Sequence, residues 1–247
     1  MNILKIENLK KIYHTLQGET LAVDNVSFDL KEGEFIAIVG PSGCGKSTIL
    51  SILCDLDKSS DGKIIIKDDL KLGYMLQGDN LFEWQTILKN CLLGLEINGN
   101  ITLENVDYVK QLLKTYGLEE FMYAYPSNLS GGMRQRVSLI RTLATKPDLL
   151  IMDEPFSALD AQSRLAVSDD VYRIIKKEKK SAIMVTHDIS EAISMADRVI
   201  VLSKRPSRVK NVYKINLTDK STPINNRKSK EFSKYYELIW KDIDYHV

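Results

Sequence analysis

The chain has 247 residues, 44% of them hydrophobic and 27% charged, values that exclude wholesale disorder and collagen-like architectures. Basic and acidic residues nearly cancel (34 − 33 = +1), so the protein as a whole is no polyanion binder, although residues 203–247 carry 11 − 5 = +6 and the first 202 carry 23 − 28 = −5. Three cysteines (Cys44, Cys54, Cys91) without a CxxC pair exclude a disulfide framework and a cysteine zinc site.

Short β-branched and aromatic stretches predict strands at 3–6 and 22–30, followed by a turn at Lys31-Glu32-Gly33-Glu34. Phe35-Ile36-Ala37-Ile38-Val39 is unbroken apolar sequence, as in a strand buried on both faces of a parallel sheet. A Gly-rich loop occupies 40–45, and helical spacing of Ile49, Leu50, Ile52 and Leu53 predicts a helix over 46–56. Strands are expected at 63–66 and 72–76. From Asn80 to about Tyr125 helical periods dominate, which points to a helical subdomain inserted into an α/β core. The core then resumes with helices at 133–144, 162–176 and 189–195, alternating with strands at 149–152, 182–185 and 198–202. A polar stretch from Pro223 to Lys230 reads as flexible. An amphipathic helix over 231–243 closes the pattern, its apolar stripe (Phe232, Tyr235, Tyr236, Ile239, Trp240, Ile243) expected to pack on the core. No apolar run reaches the ~20 residues needed to span a bilayer. Lys5, Glu7, Lys10 and Lys11 interrupt the N-terminal stretch, so neither a signal peptide nor a membrane span is expected.

Gly40-Pro41-Ser42-Gly43-Cys44-Gly45-Lys46-Ser47 fits G-x-x-x-x-G-K-[ST] in full. Glycines let consecutive backbone N–H groups turn toward phosphate oxygens, and the helix that follows adds the positive end of its dipole. Lys46 is then expected at the terminal phosphates and Ser47 at Mg²⁺, a hard cation that seeks oxygen ligands; Thr48 completes the loop. Leu149–Met152 predicts a buried strand that delivers Asp153 and Glu154 to its C-terminal end, where open α/β sheets bind ligands. Asp153 is assigned to Mg²⁺, and Glu154 to the attacking water as general base.

Leu129-Ser130-Gly131-Gly132-Met133, with Ser130 standing 23 residues before Asp153, closely resembles the signature motif of ATP-binding-cassette (ABC) ATPases. Physically, Ser130, Gly131 and Gly132 make a second anion nest at a helix start, with Ser130 equally suited to cap that helix. The other family motifs follow in order. Gln77 resembles the Q-loop glutamine, which implies contact with Mg²⁺ and the attacking water. Ser157-Ala158-Leu159-Asp160 resembles the D-loop, and His187 the switch histidine at the γ-phosphate. Tyr13, 27 residues before Gly40, stands where the family has an aromatic that stacks on adenine.

The resemblance implies an α/β fold: a P-loop NTPase core of the ABC ATPase type, with an N-terminal antiparallel β portion and an inserted helical subdomain. Its expected division is a nucleotide-binding core of residues 1–79 and 133–209, a helical signature subdomain of residues 80–132, and a C-terminal extension of residues 210–247. It also implies ATP and Mg²⁺ as cofactors and a head-to-tail pair of cassettes with each ATP between one phosphate loop and the partner's signature. The further partners implied are an integral-membrane permease and, indirectly, an extracytoplasmic solute-binding protein, which puts the chain at the cytoplasmic face of the membrane. The 155–164 and 203–209 segments are similar to ATP-binding subunits of nitrate/sulfonate/taurine-type importers, a branch that also serves pyrimidine precursors. Leu81-Phe82-Glu83-Trp84-Gln85-Thr86 departs from that branch's Leu-Pro-Trp-Arg-Thr. Trp84 there is either a permease contact or part of the helical lobe's packing. The rival class, a soluble cassette ATPase acting on nucleic acid or ribosomes, calls for a long coiled coil or a second cassette. Only 52 positions separate Gln77 from Leu129, and no nucleic-acid partner is expected.

Overall fold

The computed structural model describes residues 1–16 and 18–243. Two sheets share one chain. Strands β1 (Asn2–Thr15), β2 (Gly18–Lys31) and, later in sequence, β4 (Asp61–Ile66) form an antiparallel sheet in the order β2-β1-β4. The second sheet contains β3 (Phe35–Val39), β5 (Leu72–Met75), β6 (Leu149–Asp153), β7 (Ser181–Val185), β8 (Arg198–Leu202) and β9 (Val209–Lys214). Their spatial order is β5-β6-β7-β3-β8-β9, all parallel except β9, which runs antiparallel to β8.

The apolar strands are buried on both faces because successive side chains enter different cores. Ile36, Ile38, Ile151, Ile183, Val185 and Ile200 point toward the antiparallel sheet and α1 (Lys46–Leu53). Phe35, Ala37, Val39, Met152, Met184 and Val201 point toward the remaining helices. Those are α2 (Ile87–Ile97), α3 (Leu103–Thr115), α4 (Gly131–Ala144), α5 (Ala161–Lys177), α6 (Ile189–Met195), α7 (Pro223–Asn226) and α8 (Phe232–Asp242). No helix among the described residues is long and apolar enough to cross a membrane.

The helix predicted over 46–56 stops at Leu53, where Asp55 turns into the left-handed region with φ 55°. The sequence reading contained no strand at 209–214. Its side chains there are mostly exposed, since β9 lies at the sheet edge and only its backbone is committed to β8. The stretch read as flexible holds α7 instead, with Asn226 buried and donating to the Ser194 carbonyl at 2.7 Å. On α8, Ile239 and Ile243 enter the core, Phe232, Tyr235 and Tyr236 pack partly against it, and Trp240 stays about half exposed.

Candidate nucleotide site

The candidate site lies at the C-terminal ends of β3, β6 and β7, the edge where parallel sheets receive ligands. The chain leaves β3 at Val39 and curls through 40–45 into α1. Gly45 has φ +114°, and a Cβ there would stand 3.2 Å from Ser207 Oγ and 3.3 Å from the Ala22 carbonyl, so both the turn and the space require glycine. No side chain caps α1, which leaves its first N–H groups facing the loop. Lys46 is buried, and its Nζ donates to the carbonyls of Gly40 (2.8 Å) and Pro41 (3.0 Å). Among the described residues no carboxylate pairs with it. A buried ammonium with only neutral partners is a strong attractor for a phosphate.

Asp153 ends β6 beside this loop and is nearly inaccessible. Burial raises its pKa, the charge of Glu154 adds to the rise, and hydrogen bonds from Ser47 and Tyr74 together with the Lys46 charge oppose it. Its Oδ1 is buried without any hydrogen-bond partner. A divalent cation between the Ser47 hydroxyl and this orphaned oxygen would satisfy the atom and favour the ionised carboxylate. Among the described residues no cluster of three or more His, Cys, Asp or Glu is placed to hold a metal.

The next residue, Glu154, has φ 44°, a left-handed conformation that is uncommon outside glycine. Its N–H donates to the Val185 carbonyl (2.9 Å), and its own carbonyl accepts from Ser157 Oγ (3.0 Å). The kink turns the carboxylate out of the sheet to meet two partners: Gln77 Nε2 lies 3.4 Å and His187 Nδ1 3.3 Å from Glu154 Oε2. Three residues far apart in sequence thus converge on one oxygen, with His187 half exposed at the rim.

Tyr13, partly exposed on β1, reaches the same region: its hydroxyl lies 3.5 Å from Thr48 Oγ1. Ser130 caps α4, accepting from Met133 N at 3.3 Å. Gly132 packs so closely on α5 that a Cβ would stand 2.9 Å from Val167 Cγ2. Among the described residues, Ser130–Gly132 makes no hydrogen bond to the phosphate loop of its own chain. Ser130 opens α4 in the helical core, whereas Lys46 opens α1 in the core beneath the antiparallel sheet.

Sequence reasoning passed over the residues that hold this constellation. Arg134 and Arg141 on α4 donate to Asp79 Oδ2 (2.8 Å), to the Asp79 carbonyl (2.8 Å) and to the Asn80 carbonyl (2.7 Å), tying the signature helix to the segment after Gln77. Thr186 donates to Glu191 Oε2 at 2.6 Å and accepts from Asp188 N, bracing both sides of His187. Glu191 is buried, which pushes its pKa up to about 6. Arg164 lies 3.8 Å from Glu191 and 3.6 Å from Asp188, and donates to the Leu159 carbonyl at 3.0 Å. The spacing Asp188-x-x-Glu191, with Asp188 accepting from Ser190 N and Glu191 N, was a readable helix-start signal.

After α4's grip on Asp79–Asn80, the chain presents an aromatic pair. Phe82 and Trp84 stack with centroids 4.9 Å apart, and Trp84 is 72% exposed. Asn90, fully buried on α2, holds their turn by accepting from Phe82 N and donating to the carbonyls of Phe82, Gln85 and Thr86. Trp84 is therefore not a buried residue of the helical lobe; its packing is confined to the stack on Phe82.

Known proteins resemble this chain over most of its length. Residues 23–157 match the family model described as "ABC transporter". An ABC transporter ATP-binding protein of Methanocaldococcus jannaschii is 43% identical, with 96% of this chain and 89% of that protein aligned. The nitrate import ATP-binding protein NrtD of Synechocystis is 37% identical, over 96% of this chain and 93% of its own. Among solved structures, a dimeric ATP-binding cassette in a post-hydrolysis state with ADP and Pi superposes with TM-score 0.73. It is 33% identical, and the match covers 86% of this chain and 99% of that one.

Proposed function

Because the chain belongs to the ABC transporter ATP-binding family, whose members are ATPases, we propose that it is the ATP-hydrolysing subunit of a membrane importer, held at the cytoplasmic face by a separate permease. The observation that carries the catalytic reading is the meeting of Gln77, Glu154 and His187 at one carboxylate oxygen beside the phosphate loop. Loop amides 40–48 and Lys46 bind the triphosphate, and Tyr13 takes the adenine. Ser47, Asp153 and Gln77 would hold Mg²⁺, which would supply neutralisation of the phosphate charge. Glu154 accepts the proton of the attacking water, Gln77 orients that water, and His187 donates to the γ-phosphate as charge moves onto it.

The placement of Ser130–Gly132 and the phosphate loop at the starts of two helices in different cores supports a head-to-tail pair of subunits, each completing the other's site. Mg·ATP favours the closed pair, and hydrolysis releases it. The difference in ATP affinity between the two states supplies the transport work. Trp84, on its Asn90-braced turn directly after Gln77, is the permease anchor, since exposed aromatics on rigid supports suit interface hot spots. The nitrate relative supports a small anionic or related solute delivered by an extracytoplasmic binding protein. Between Gln77 and Ser130, α2 and α3 are short helices, which does not suit the soluble nucleic-acid or ribosome class. Reconstitution with a cognate permease tests the reading. Turnover stimulated by permease and loaded binding protein is expected; turnover indifferent to both would refute it.

A further inference from the structure

Tyr13 is held by two residues that lie outside every nucleotide-binding motif. Its hydroxyl donates to Asp57 Oδ2 at 3.0 Å. The other oxygen of that carboxylate, Oδ1, accepts from Lys11 Nζ at 2.5 Å, and the same ammonium donates to the Lys58 carbonyl at 2.7 Å. Lys11 is largely buried, and its Nζ stands 4.7 Å from the centroid of the Tyr13 ring. The hydrogen bond from Lys11 holds the Asp57 carboxyl below its usual range. Ser60 fastens the loop around Asp57 to β1, accepting from Ile12 N at 2.9 Å, while Ser60 N donates to the Lys10 carbonyl at 2.8 Å.

We propose that Asp57 and Lys11 are positioning residues that fix the Tyr13 ring for one-sided stacking of the nucleobase. The inference rests on the reading of Tyr13 as the base-stacking residue. The physical reasoning has two parts. First, an untethered, partly exposed tyrosine near the end of a strand samples several rotamers, and ordering it on binding weakens affinity. A ring already tied at its hydroxyl escapes that loss. Second, the Lys11 ammonium occupies one face of the ring in cation–π contact, so the base has only the other. The Thr48 hydroxyl, 3.5 Å from the Tyr13 oxygen, joins this clamp to the helix that follows the phosphate loop. Base and phosphate subsites are thereby set at a fixed separation, which suits a nucleoside triphosphate over free triphosphate. Neither Asp57 nor Lys11 touches the base on this scheme; both act through the ring.

The test is calorimetric titration of the intact chain with two probes, Mg·ATP and Mg·inorganic triphosphate. The proteins are wild type, Tyr13→Ala, Tyr13→Phe and Asp57→Ala. Tyr13→Phe keeps the ring, and in Asp57→Ala the Lys11 ammonium keeps its bond to the Lys58 carbonyl; thermal melts establish that each variant is folded before titration. Asp57→Ala and Tyr13→Phe are each expected to weaken ATP by about 3- to 10-fold and leave triphosphate unchanged, with Tyr13→Ala weakening ATP further. If Tyr13→Ala weakens ATP while Asp57→Ala and Tyr13→Phe match wild type, the ring needs no clamp and the inference fails. Equal weakening of both probes by Asp57→Ala would make it a support of the phosphate loop and overturn the inference as well. An unaltered ratio of ATP to triphosphate affinity in Tyr13→Ala would instead overturn the stacking reading itself.

Discussion

Replacing Glu154 by glutamine changes one oxygen to an amide nitrogen and leaves nearly everything else in place. The left-handed backbone at 154 is set by its N–H bond to Val185 and by Ser157 Oγ on its carbonyl, and neither involves the side chain. The fold cost should therefore stay within ~0.5 kcal/mol, as for surface changes that spare core and caps. The chemical cost is larger. The Oε2 atom lies 3.4 Å from Gln77 Nε2 and 3.3 Å from His187 Nδ1. An amide there can still fill the space between them but cannot take a proton from water. Loss of a positioned general base lowers turnover by about 10²- to 10⁴-fold, which at ~1.4 kcal/mol per decade is a barrier increase of about 3–5 kcal/mol. Nucleotide affinity should stay close to wild type, because Lys46 and the loop amides are untouched. Steady-state phosphate release and titration with a fluorescent ATP analogue, run on the same preparation, separate the two effects. Turnover within 3-fold of wild type would remove Glu154 from the role of base. Equal losses of binding and turnover would mean that it holds nucleotide.

Lys46→Ala should abolish tight ATP binding, because the triphosphate loses a buried cation that the chain pairs only with carbonyls; wild-type affinity in the variant would contradict the phosphate-loop assignment. Glu191→Gln removes a buried acid whose folded pKa of about 6 exceeds the ordinary 4.5. The folded state therefore holds more protons between those values, and this acid's contribution to stability falls as pH rises from 4.5 through 6. Urea unfolding should show wild type gaining up to about 2 kcal/mol on the variant between pH 7 and pH 4.5; a pH-independent difference would refute the shift. Trp84→Ala forfeits an exposed stacking contact worth about 0.5–1.5 kcal/mol, so the isolated chain should melt within about 6 °C of wild type and hydrolyse ATP normally, yet fail to co-purify with the permease. An earlier melt with normal assembly would make Trp84 a fold residue.

Much of the fold was legible because its period is simple. Strands such as 35–39 and 149–152 are apolar without interruption, and the structure gives each of them two cores to fill. The phosphate loop, Asp153 and Glu154 were legible because one strand–turn–helix unit brings each of them to the sheet edge within a few residues. What escaped the sequence was set by tertiary contact alone. The β9 strand has exposed side chains and declares itself only through its ladder with β8. Asn226 is polar and sits in a polar run, yet it is buried because it satisfies the Ser194 carbonyl. The meeting of Gln77 and His187 at Glu154 follows from β5, β6 and β7 being neighbours in the sheet, and no local pattern encodes that order. Lys11, Asp57, Arg164 and Glu191 read as ordinary surface charges until the fold pairs them.

Two anion nests on different helices of one chain make subunit pairing the central claim, and mass measurement tests it most directly. Glu154→Gln, which should bind Mg·ATP without consuming it, is passed through size-exclusion chromatography with light scattering, with Mg·ATP and with Mg·ADP. The expected result is 28.1 kDa with ADP and 2 × 28.1 = 56.2 kDa with ATP, and the larger species should disappear when Ser130 is replaced by phenylalanine in the same background. A mass of 28.1 kDa at saturating ATP and high protein concentration, with bound nucleotide demonstrated in the peak, would contradict the claim that Ser130–Gly132 completes the site of a second subunit.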